Sequence, residues 1–172
     1  MVSDQKKLNP ERKDEFKFAV LTISDRCSRG ESQDESGKII IDVVNTINGR
    51  NIKYDIVPDE MELIKEKLIL YCDELRADII FTTGGTGLGP RDVTPEATIG
   101  IANKMIPGIS EIIRLEGMKK TRNAALSRGL SAMRGRSIII NLPGSPKGVR
   151  ESLSAILDLI PHALDMVRGE GH

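Results

Sequence analysis

The chain has 172 residues, of which 39% are hydrophobic and 29% charged, a composition that fits one ordinary globular domain with a sizeable core. Because 25 basic residues balance 25 acidic ones, no net charge attracts the chain to nucleic acid or to an anionic membrane, and no apolar run approaches the roughly 20 residues that cross a bilayer. Two cysteines without a C-x-x-C motif argue against a disulfide framework or a zinc site and fit a cytoplasmic protein.

The first fifteen residues are polar and have no apolar centre, so they do not match a secretory signal. We predict a polar extension over residues 1–15 and a single domain over residues 16–172. No internal repeat or low-complexity segment interrupts that domain. Residues 16–172 are therefore expected to share one fold.

Runs of apolar residues alternate with segments of helical periodicity along this domain. The apolar runs predict strands buried on both faces at residues 16–23, 52–57, 78–83 and 137–142. Four-residue spacing predicts helices at residues 39–47, 64–75, 108–119 and 149–160, and Thr94, as an N-cap before Pro95, predicts the start of another. Residues 124–128 fit a short strand and residues 133–136 a turn. The alternation indicates an α/β fold with a largely parallel sheet and helices on both faces.

A polar segment follows each predicted strand. In chain order these segments are residues 24–26, Asp59 with its neighbours, the glycine-rich residues 84–89, and residues 141–147. Ligands of parallel α/β sheets bind beyond the carboxyl ends of the strands, and those ends lie on one edge of the sheet. The sequence therefore predicts that four separate loops converge on one site.

The most unusual segment is residues 82–96, T-T-G-G-T-G-L-G-P-R-D-V-T-P-E. Its four glycines leave backbone N–H groups open to a bound anion, and phosphate is the usual guest of such a loop. Pro90 and Arg91 stand where a P-loop has Lys and Ser or Thr, and the Rossmann fingerprint G-x-G-x-x-G is absent, so neither motif applies. A tight strand-to-helix connection is the structural alternative, but four glycines and two threonines exceed what such a turn needs.

Two aspartates near this loop each have a structural and a functional interpretation. Asp59 with Glu62 matches a helix capping box, and Asp92 suits an Asx-turn. Beside a phosphate-binding loop, carboxylates are also the ligands that Mg²⁺ takes when it bridges to phosphate. Asp25 with Arg26 fits either a surface ion pair or part of a site, since both residues follow a strand end.

Six motifs occur together and in this order: S-D-R (24–26), P-D-E (58–60), T-T-G-G-T-G (82–87), P-R-D-V-T-P-E-A (90–97), L-S-R (126–128) and N-L-P-G (141–144). The combination resembles the molybdopterin adenylyltransferases of molybdenum cofactor biosynthesis and their relatives, the MogA/MoaB type, over about residues 16–168. The resemblance implies a three-layer α/β/α molybdopterin-binding domain with a mostly parallel, mixed sheet, which usually assembles as a cytoplasmic homotrimer.

The resemblance also implies a reaction. AMP moves from Mg-ATP onto the terminal phosphate of molybdopterin, pyrophosphate is released, and the adenylylated pterin passes to a partner that inserts molybdate. Asp59 and Asp92 match the family's essential carboxylates, which are associated with Mg²⁺ and the reacting phosphates. Motif match and strand-end position together give the substrate- and nucleotide-binding candidates Ser24, Asp25, Thr83, Gly84, Gly85, Thr86, Gly87, Arg91, Ser127, Asn141, Pro143, Gly144 and Lys147.

Within this set, the N–H groups of residues 84–87 are expected to cradle phosphate, and Arg91 or Lys147 to offset its charge. Lys147 lies in the first turn of a helix, where a cation opposes the helix dipole, which hints at an anionic ligand. Many relatives of doubtful activity lack the Arg-Asp pair after the glycine loop, so its presence as Arg91-Asp92 favours an active enzyme. A non-catalytic molybdopterin carrier and a nucleotide-responsive assembly module are the alternatives. Contacts to pterin or nucleotide are expected from Ser24, Ser127 and Asn141.

Overall fold

The computed structural model describes residues 14–170. Residues 1–13 of the expected N-terminal extension lie outside the described residues, so the domain boundary after residue 15 stays a prediction. Among the residues described, no helix is long and apolar enough to cross a membrane.

One mixed sheet forms the centre of the fold. Its strands are β1 (Phe16–Ile23), β2 (Gly49–Val57), β3 (Ile79–Thr83), β4 (Lys104–Met105), β5 (Ser131–Arg134) and β6 (Ser137–Leu142). They lie in the order β2-β1-β3-β6-β5-β4. The first four strands in this order run parallel, and β5 and β4 add an antiparallel edge. All four predicted strands are therefore confirmed, and they are the parallel ones.

Helices cover both faces of the sheet. They are α1 (Asp25–Ser28), α2 (Glu35–Asn45), α3 (Met61–Ile69), α4 (Thr94–Ile101), α5 (Pro107–Met118), α6 (Pro146–Ile156) and α7 (Ile160–Arg168). One hydrophobic core joins the sheet to α2, α5, α6 and α7, and a second joins it to α3 and α4. This arrangement confirms the three-layer α/β/α fold.

β1 shows why its sequence is apolar at almost every position. Phe18 and Val20 belong to one core, while Ala19 and Leu21 belong to the other, and all four side chains are fully buried. Successive side chains of a strand point to opposite faces. A strand with a helical layer on each side therefore needs an unbroken apolar run.

The strand predicted over residues 124–128 is wrong. Arg122–Leu126 form a 3₁₀ helix, and its N-cap Thr121 accepts a hydrogen bond from the Asn123 N–H at 3.3 Å. The two alanines and the leucine of this segment favour helical over extended backbone, which explains the difference. The turn expected at residues 133–136 is shorter than predicted, because its first two residues pair with β6 as part of β5.

The helix predicted over residues 64–75 is also only partly correct. α3 is followed by a π-helical turn, Leu70–Glu74. A π turn holds an extra residue, so the four-residue spacing of buried side chains fails beyond it. Tyr71 is fully buried as expected, whereas Leu75, expected on the same face, is exposed.

Candidate active site

The polar segments that follow the parallel strands meet at one edge of the sheet, as predicted. Thr83, the last residue of β3, lies beside Thr22 of β1 and Leu142 of β6. Ile23, the last residue of β1, lies beside Val57 of β2. The four loops that leave these strands therefore begin side by side.

Asp25 and Asp59 join the loops after β1 and β2 by a reciprocal pair of hydrogen bonds. The Asp25 N–H donates to Asp59 Oδ2 at 2.9 Å, and the Asp59 N–H donates to Asp25 Oδ1 at 3.0 Å. The capping box considered for Asp59 is not formed, because the N-cap of α3 is Glu60, which makes no side-chain cap bond. The Asp59 carboxylate is therefore bound to the neighbouring loop rather than to the start of α3.

Arg91 connects this pair to the end of the glycine loop. Its Nη2 and Nε donate to Asp25 Oδ1 and Oδ2 at 2.8 and 3.1 Å. The hydrogen bond from Arg91, followed by that from the Asp59 N–H, lowers the pKa of the Asp25 carboxyl below its usual value. Asp25 is thus paired across the site with Arg91, and not with Arg26 in a local surface pair.

Asp59 is in a different electrostatic position from Asp25. Burial raises the pKa of the Asp59 carboxyl, and the negative charges of Asp25 and Asp92 add to this effect. Three carboxylates therefore lie close enough to affect one another, and the guanidinium of Arg91 acts on both Asp25 and Asp59. Like charges at this separation disfavour one another's ionised forms, and a bound cation would relieve that repulsion.

The first two glycines of the loop are required by its backbone. Gly84 and Gly85 have φ angles of +98° and +67°. A Cβ on Gly84 would lie 2.1 Å from the Ile23 carbonyl oxygen, and one on Gly85 would lie 2.2 Å from Thr94 Oγ1. Thr94 is not the predicted N-cap: Val93 holds that position, and the Thr94 hydroxyl donates to the Gly84 carbonyl at 2.9 Å.

The next two glycines make room for Asp92. A Cβ on Gly87 or Gly89 would lie 2.9 or 2.8 Å from Asp92 Oδ2. That oxygen accepts a hydrogen bond from the Gly89 N–H at 2.9 Å, and the Asp92 N–H donates to the Gly89 carbonyl at 3.1 Å. These two bonds close a turn over residues 89–92, which takes the place of the expected Asx-turn. All four glycines thus meet demands of packing and backbone. The inference that their number exceeds what a turn needs is wrong.

Support for an anion cradle comes instead from the N–H groups that the loop leaves open. Among residues 14–170, no acceptor receives the N–H of Gly85, Thr86 or Gly87, whereas the Gly84 N–H donates to the Leu142 carbonyl at 3.3 Å. Thr86 is 7% exposed, and an unpaired N–H in such a place is costly. Three successive open donors between a strand and a helix suit the oxygens of a phosphate.

Arg128 fixes the conformation of this loop. Its N–H donates to the Thr86 carbonyl at 2.9 Å, its Nε to the Gly87 carbonyl at 2.7 Å, and its Nη2 to the Asp92 carbonyl at 2.7 Å. Its Nη1 pairs with Glu96. In a trans peptide the N–H points away from the C=O, so holding the Thr86 carbonyl turns the Gly87 N–H to the opposite side.

Two cavities flank the glycine loop and the loop after β6. The β1-side cavity, of about 350 Å³, is lined by Thr22, Ser24, Asp34, Ser36, Gly84 and Gly144, among others. The α5-side cavity, of about 450 Å³, is lined by Thr86, Gly87, Ser127, Pro143, Lys147 and Glu151, among others. The two loops therefore divide two spaces, each large enough for part of a bound molecule.

The family described as "Probable molybdopterin binding domain" matches residues 19–162. The chain belongs to this family. A molybdopterin adenylyltransferase of Helicobacter pylori (strain J99) is 45% identical over 154 residues, which are 88% of this chain and 88% of that protein. The family and the fold expected from the six motifs are confirmed.

Two solved structures with related sequences have the same fold as this chain. The molybdopterin biosynthesis enzyme MoaB of Thermus thermophilus is 49% identical, with a TM-score of 0.85 over 90% of this chain and 97% of its own. The molybdopterin biosynthesis Mog protein of Mycobacterium ulcerans is 35% identical, with a TM-score of 0.84 over 91% and 99%.

The structure of this family member brings most of the predicted site residues together. Asp25, Asp59, Gly84, Gly85, Thr86, Gly87, Arg91 and Asp92 form the acidic cluster and the adjoining loop. Ser24 and Gly144 line the β1-side cavity, and Ser127, Pro143 and Lys147 line the α5-side cavity.

Thr83 lines the β1-side cavity but is almost fully buried, and Asn141 lies beneath the site. Thr83 is 1% exposed and donates to the Pro143 carbonyl at 2.7 Å. Asn141 is 3% exposed, and its Nδ2 bonds the hydroxyls of Thr82 and Thr98 while its Oδ1 accepts a backbone N–H. Contact of either side chain with a substrate stays a prediction, and this geometry favours a supporting role.

Sequence reasoning missed two residues of the β1-side cavity in this family member. Asp34 is buried, accepts hydrogen bonds from the hydroxyls of Thr22 and Tyr54, and caps α2 through a backbone N–H at 2.9 Å. Ser36 donates to the Gly144 carbonyl at 2.8 Å. An N-cap before an apolar helix is a visible signal for Asp34. Nothing local in the sequence indicates its two hydroxyl partners.

The carboxylates of Asp59 and Asp92 have free oxygens that fit a bound Mg²⁺. Asp59 and Asp92 each keep one oxygen, Oδ1, that accepts no hydrogen bond from the residues described. No cluster of three or more His, Cys, Asp or Glu side chains within residues 14–170 is arranged to hold a metal. Mg²⁺ commonly binds through one or two carboxylates and completes its shell with water and substrate phosphate. The donor set is consistent with that mode.

Proposed function

We propose that this protein is a molybdopterin adenylyltransferase of molybdenum cofactor biosynthesis, which transfers AMP from ATP to molybdopterin. The observation that carries the proposal is the position of two carboxylates, Asp59 and Asp92, beside the open N–H groups of residues 85–87. The substrate class follows from relatives that bear this activity as their name. The geometry is compatible with this chemistry, because the open N–H groups suit phosphate oxygens and the two carboxylates suit a cation.

The reaction joins two anionic molecules. An oxygen of the terminal phosphate of molybdopterin attacks the α-phosphorus of ATP, and the bond from that phosphorus to the bridging oxygen of the β-phosphate breaks. Pyrophosphate leaves with the electron pair of that bond. Transfer of this kind needs alignment and charge neutralisation more than a protein nucleophile.

The residues that this chain offers divide these tasks. The N–H groups of residues 85–87 bind phosphate oxygens and hold the nucleotide in line. Asp59 and Asp92 would hold Mg²⁺, which when bound offsets negative charge on the phosphates. Arg128 keeps the loop in the conformation that presents its donors.

Two cationic side chains are placed to offset the negative charge of the leaving pyrophosphate and of the pterin phosphate. Arg91 is held by two hydrogen bonds to Asp25, which leaves its Nη1 for a phosphate oxygen. Lys147 is 82% exposed beside the α5-side cavity, with Glu151 at 3.9 Å, so its ammonium group is able to reach a bound anion. We assign Arg91 and Lys147 to the pyrophosphate and the pterin phosphate without ordering the two.

The two cavities give each substrate a place. One holds the nucleoside and the other the pterin, and their phosphates meet at the loop that divides them. This division is supported by the shared walls: the glycine loop and the loop after β6 contribute residues to both cavities.

The remaining parts of the proposal rest on family membership. We expect a homotrimer that acts in the cytoplasm, uses Mg²⁺ and hands its product to a protein that inserts molybdate. Size-exclusion chromatography with light scattering tests the trimer, and a monomer would contradict it.

A direct assay tests the activity. The protein is incubated with ATP, Mg²⁺ and molybdopterin, and pyrophosphate is measured. Asp59→Asn and Asp92→Asn keep an acceptor oxygen but lose the charge, so each is expected to lower the rate at least about 100-fold. Asp42→Asn, on the exposed side of α2, is the matched control and should keep the wild-type rate.

Two outcomes would overturn parts of this proposal. Full transfer by Asp92→Asn would remove that carboxylate from the mechanism. Tight binding of molybdopterin by the wild type without any release of pyrophosphate would identify a carrier rather than an enzyme.

A further inference from the structure

A second concave region lies at the opposite, amino edge of the sheet. It is a cavity of about 460 Å³ between the starts of β1, β3 and β6, the π-helical turn and the end of α7. The five residues of β3 separate it from the glycine loop, a distance of about 17 Å at about 3.3 Å per residue. It is therefore distinct from the site of the proposed reaction. Its charged lining residues are Lys17, Asp73, Arg76, Asp78, Arg136 and Arg168.

Four cationic side chains line this amino-edge cavity. Within the described part of the chain, the side chains of Lys17, Arg76, Arg136 and Arg168 make no hydrogen bond or ion pair. Each adds a positive charge to the same small space. Like charges that converge in excess of the opposite charge repel, and an anion bound among them would relieve this cost.

The two acids of the cavity are already engaged. Asp73 is paired with Arg134, whose Nη2 donates to it at 2.7 Å and whose Nε donates to both of its oxygens. Asp78 Oδ2 accepts the Lys17 N–H at 2.7 Å. Asp73 is therefore neutralised by Arg134, whereas Asp78 accepts only a neutral backbone N–H and keeps its negative charge, so the four cations still outnumber the remaining acid.

Arg76, one of the cavity cations, has an unusual backbone conformation. Arg76 has a φ angle of +51°, a left-handed conformation in which glycine is the favoured residue. The Ala77 N–H donates back to the Tyr71 carbonyl at 3.0 Å, which closes the end of the π-helical turn. An arginine at such a position is less stable than glycine, and π turns often mark functional sites. Both features favour a role for the Arg76 guanidinium.

The floor of the cavity supplies no competing charge. Cys72 is buried, and burial raises the pKa of its thiol to about 11, so the sulfur stays neutral. Leu164 and Val167 complete an apolar base. The cavity thus combines a neutral floor with a cationic rim.

We propose that the amino-edge cavity binds a small, multiply charged oxyanion of the phosphate class. Guanidinium groups match the geometry of phosphate oxygens in pairs, and Arg76, Arg136 and Arg168 supply three of them, with the Lys17 ammonium as a fourth positive charge. The concave shape and its volume suit a small molecule. The inference rests on this cavity alone and does not depend on the proposed adenylyl transfer.

Inorganic pyrophosphate, titrated at a constant ionic strength of about 0.15 M, tests the proposal. Backbone amide signals in ¹⁵N NMR spectra report each edge separately. Saturable shifts are expected at residues 76–78 and 137, in addition to any shifts at residues 85–87 that report the other site. Silence of the amino-edge amides would overturn the proposal, including silence because a second copy of the chain covers the cavity.

Two double variants distinguish binding at a specific site from non-specific attraction to positive charge. Arg76→Gly with Arg136→Ala removes two cavity cations, and the first change also relieves the left-handed strain. This pair should weaken pyrophosphate binding at the amino edge at least tenfold, with unchanged shifts at residues 85–87. Lys38→Ala with Arg150→Ala removes the same charge from exposed helix positions and should change the binding less than twofold.

An equal loss in both pairs would overturn the proposal, because the titration would then follow total charge. Arg168→Gln, at the end of α7, is a third and independent variant in case the double change in the cavity impairs folding. It should also weaken binding at the amino edge, and unaltered affinity there would count against the site.

Discussion

The two edges of the sheet hold their charges in opposite ways. At the carboxyl edge, Asp25 hydrogen-bonds both Asp59 and Arg91, and Arg128 fixes the neighbouring loop. At the amino edge, the side chains of the four cavity cations, Arg76 among them, have no hydrogen-bond or ion-pair partner within residues 14–170. Catalysis needs groups that are oriented before the substrate arrives, whereas binding needs only complementary charge. We therefore assign chemistry to the carboxyl edge and binding alone to the amino edge.

The largest expected difference comes from two glycines with positive φ angles. Gly84→Ala would set a Cβ 2.1 Å from the Ile23 carbonyl, whereas nothing lies within 4 Å of a Cβ on Gly135, in the β5–β6 turn. We expect Gly84→Ala to lose roughly 3 kcal/mol or more of unfolding free energy and all measurable transfer. Gly135→Ala should cost about 1 kcal/mol and leave activity intact. Urea unfolding and pyrophosphate release measure both, and equal losses would refute the contrast.

Two arginines that bind backbone carbonyls test the same comparison with a smaller effect. Arg128→Met frees the carbonyls of the glycine loop, and misplacement of its donors should lower kcat about 10- to 100-fold. Arg134→Met is the matched control near the amino edge, where the Arg134 side chain binds the Asp73 carboxylate and the Ile101 carbonyl. It should change kcat less than twofold. Comparable losses of thermal stability, about 1–2 kcal/mol each, would show that the kinetic difference is not one of folding.

An equal fall of kcat in both arginine variants would contradict a special role for the glycine loop. Arg128→Lys tests whether charge alone is sufficient, because lysine keeps the charge but cannot hold the Gly87 and Asp92 carbonyls as the planar guanidinium does. It should restore little of the lost rate.

A smaller effect is expected where Asp25 orients Arg91. Asp25→Asn keeps an acceptor for the Asp59 N–H but weakens the ion pair, so Arg91 becomes less well placed for a phosphate. KM for ATP or molybdopterin should rise about twofold to fivefold, the range of exposed ion pairs, with little change in kcat. Glu31→Gln breaks the nearby surface pair with Arg29 and should change neither constant. A fall in kcat without a change in KM would place Asp25 in the chemical step.

The smallest effect is expected at the amino edge. Arg76→Gly removes a left-handed arginine, so the free energy of unfolding should rise by up to about 1 kcal/mol. Steady-state kinetics without added pyrophosphate should be unchanged. A loss of more than twofold in kcat would show that the two edges are coupled, which the present division does not predict.

Local sequence was sufficient to predict the central part of the fold. The parallel strands β1, β2, β3 and β6 are apolar runs with helices between them, and parallel order alone brings their loops together. β4 and β5 were beyond such a prediction, because one has two exposed residues and the other is short and partly polar. The 3₁₀ helix and the π-helical turn depend on tertiary packing as much as on local spacing.

The sequence predicted candidate residues that the fold brings together, but not how they contact one another. Asp59, Asp92 and the glycine loop were among these candidates, yet Asp25 and Arg91 are 66 residues apart and Asp34 meets Tyr54 across 20 residues. Long-range pairs of this kind leave no local pattern. Arg128 lay inside a recognised motif, but its task became visible only through the carbonyls it binds. The number of glycines does not support an anion site at this loop, because backbone and packing require them, and the support comes instead from the open N–H groups of residues 85–87.

The most direct test of the central claim follows the label of ATP. Wild-type protein is incubated with Mg²⁺, molybdopterin and ATP labelled with ³²P at either the α- or the γ-position, and the pterin product is isolated. We expect α-label to appear on the pterin, γ-label to leave as pyrophosphate, and Asp59→Asn and Asp92→Asn to abolish the transfer. Label from the γ-position on the pterin, or no label from either position, would contradict adenylyl transfer at the carboxyl edge.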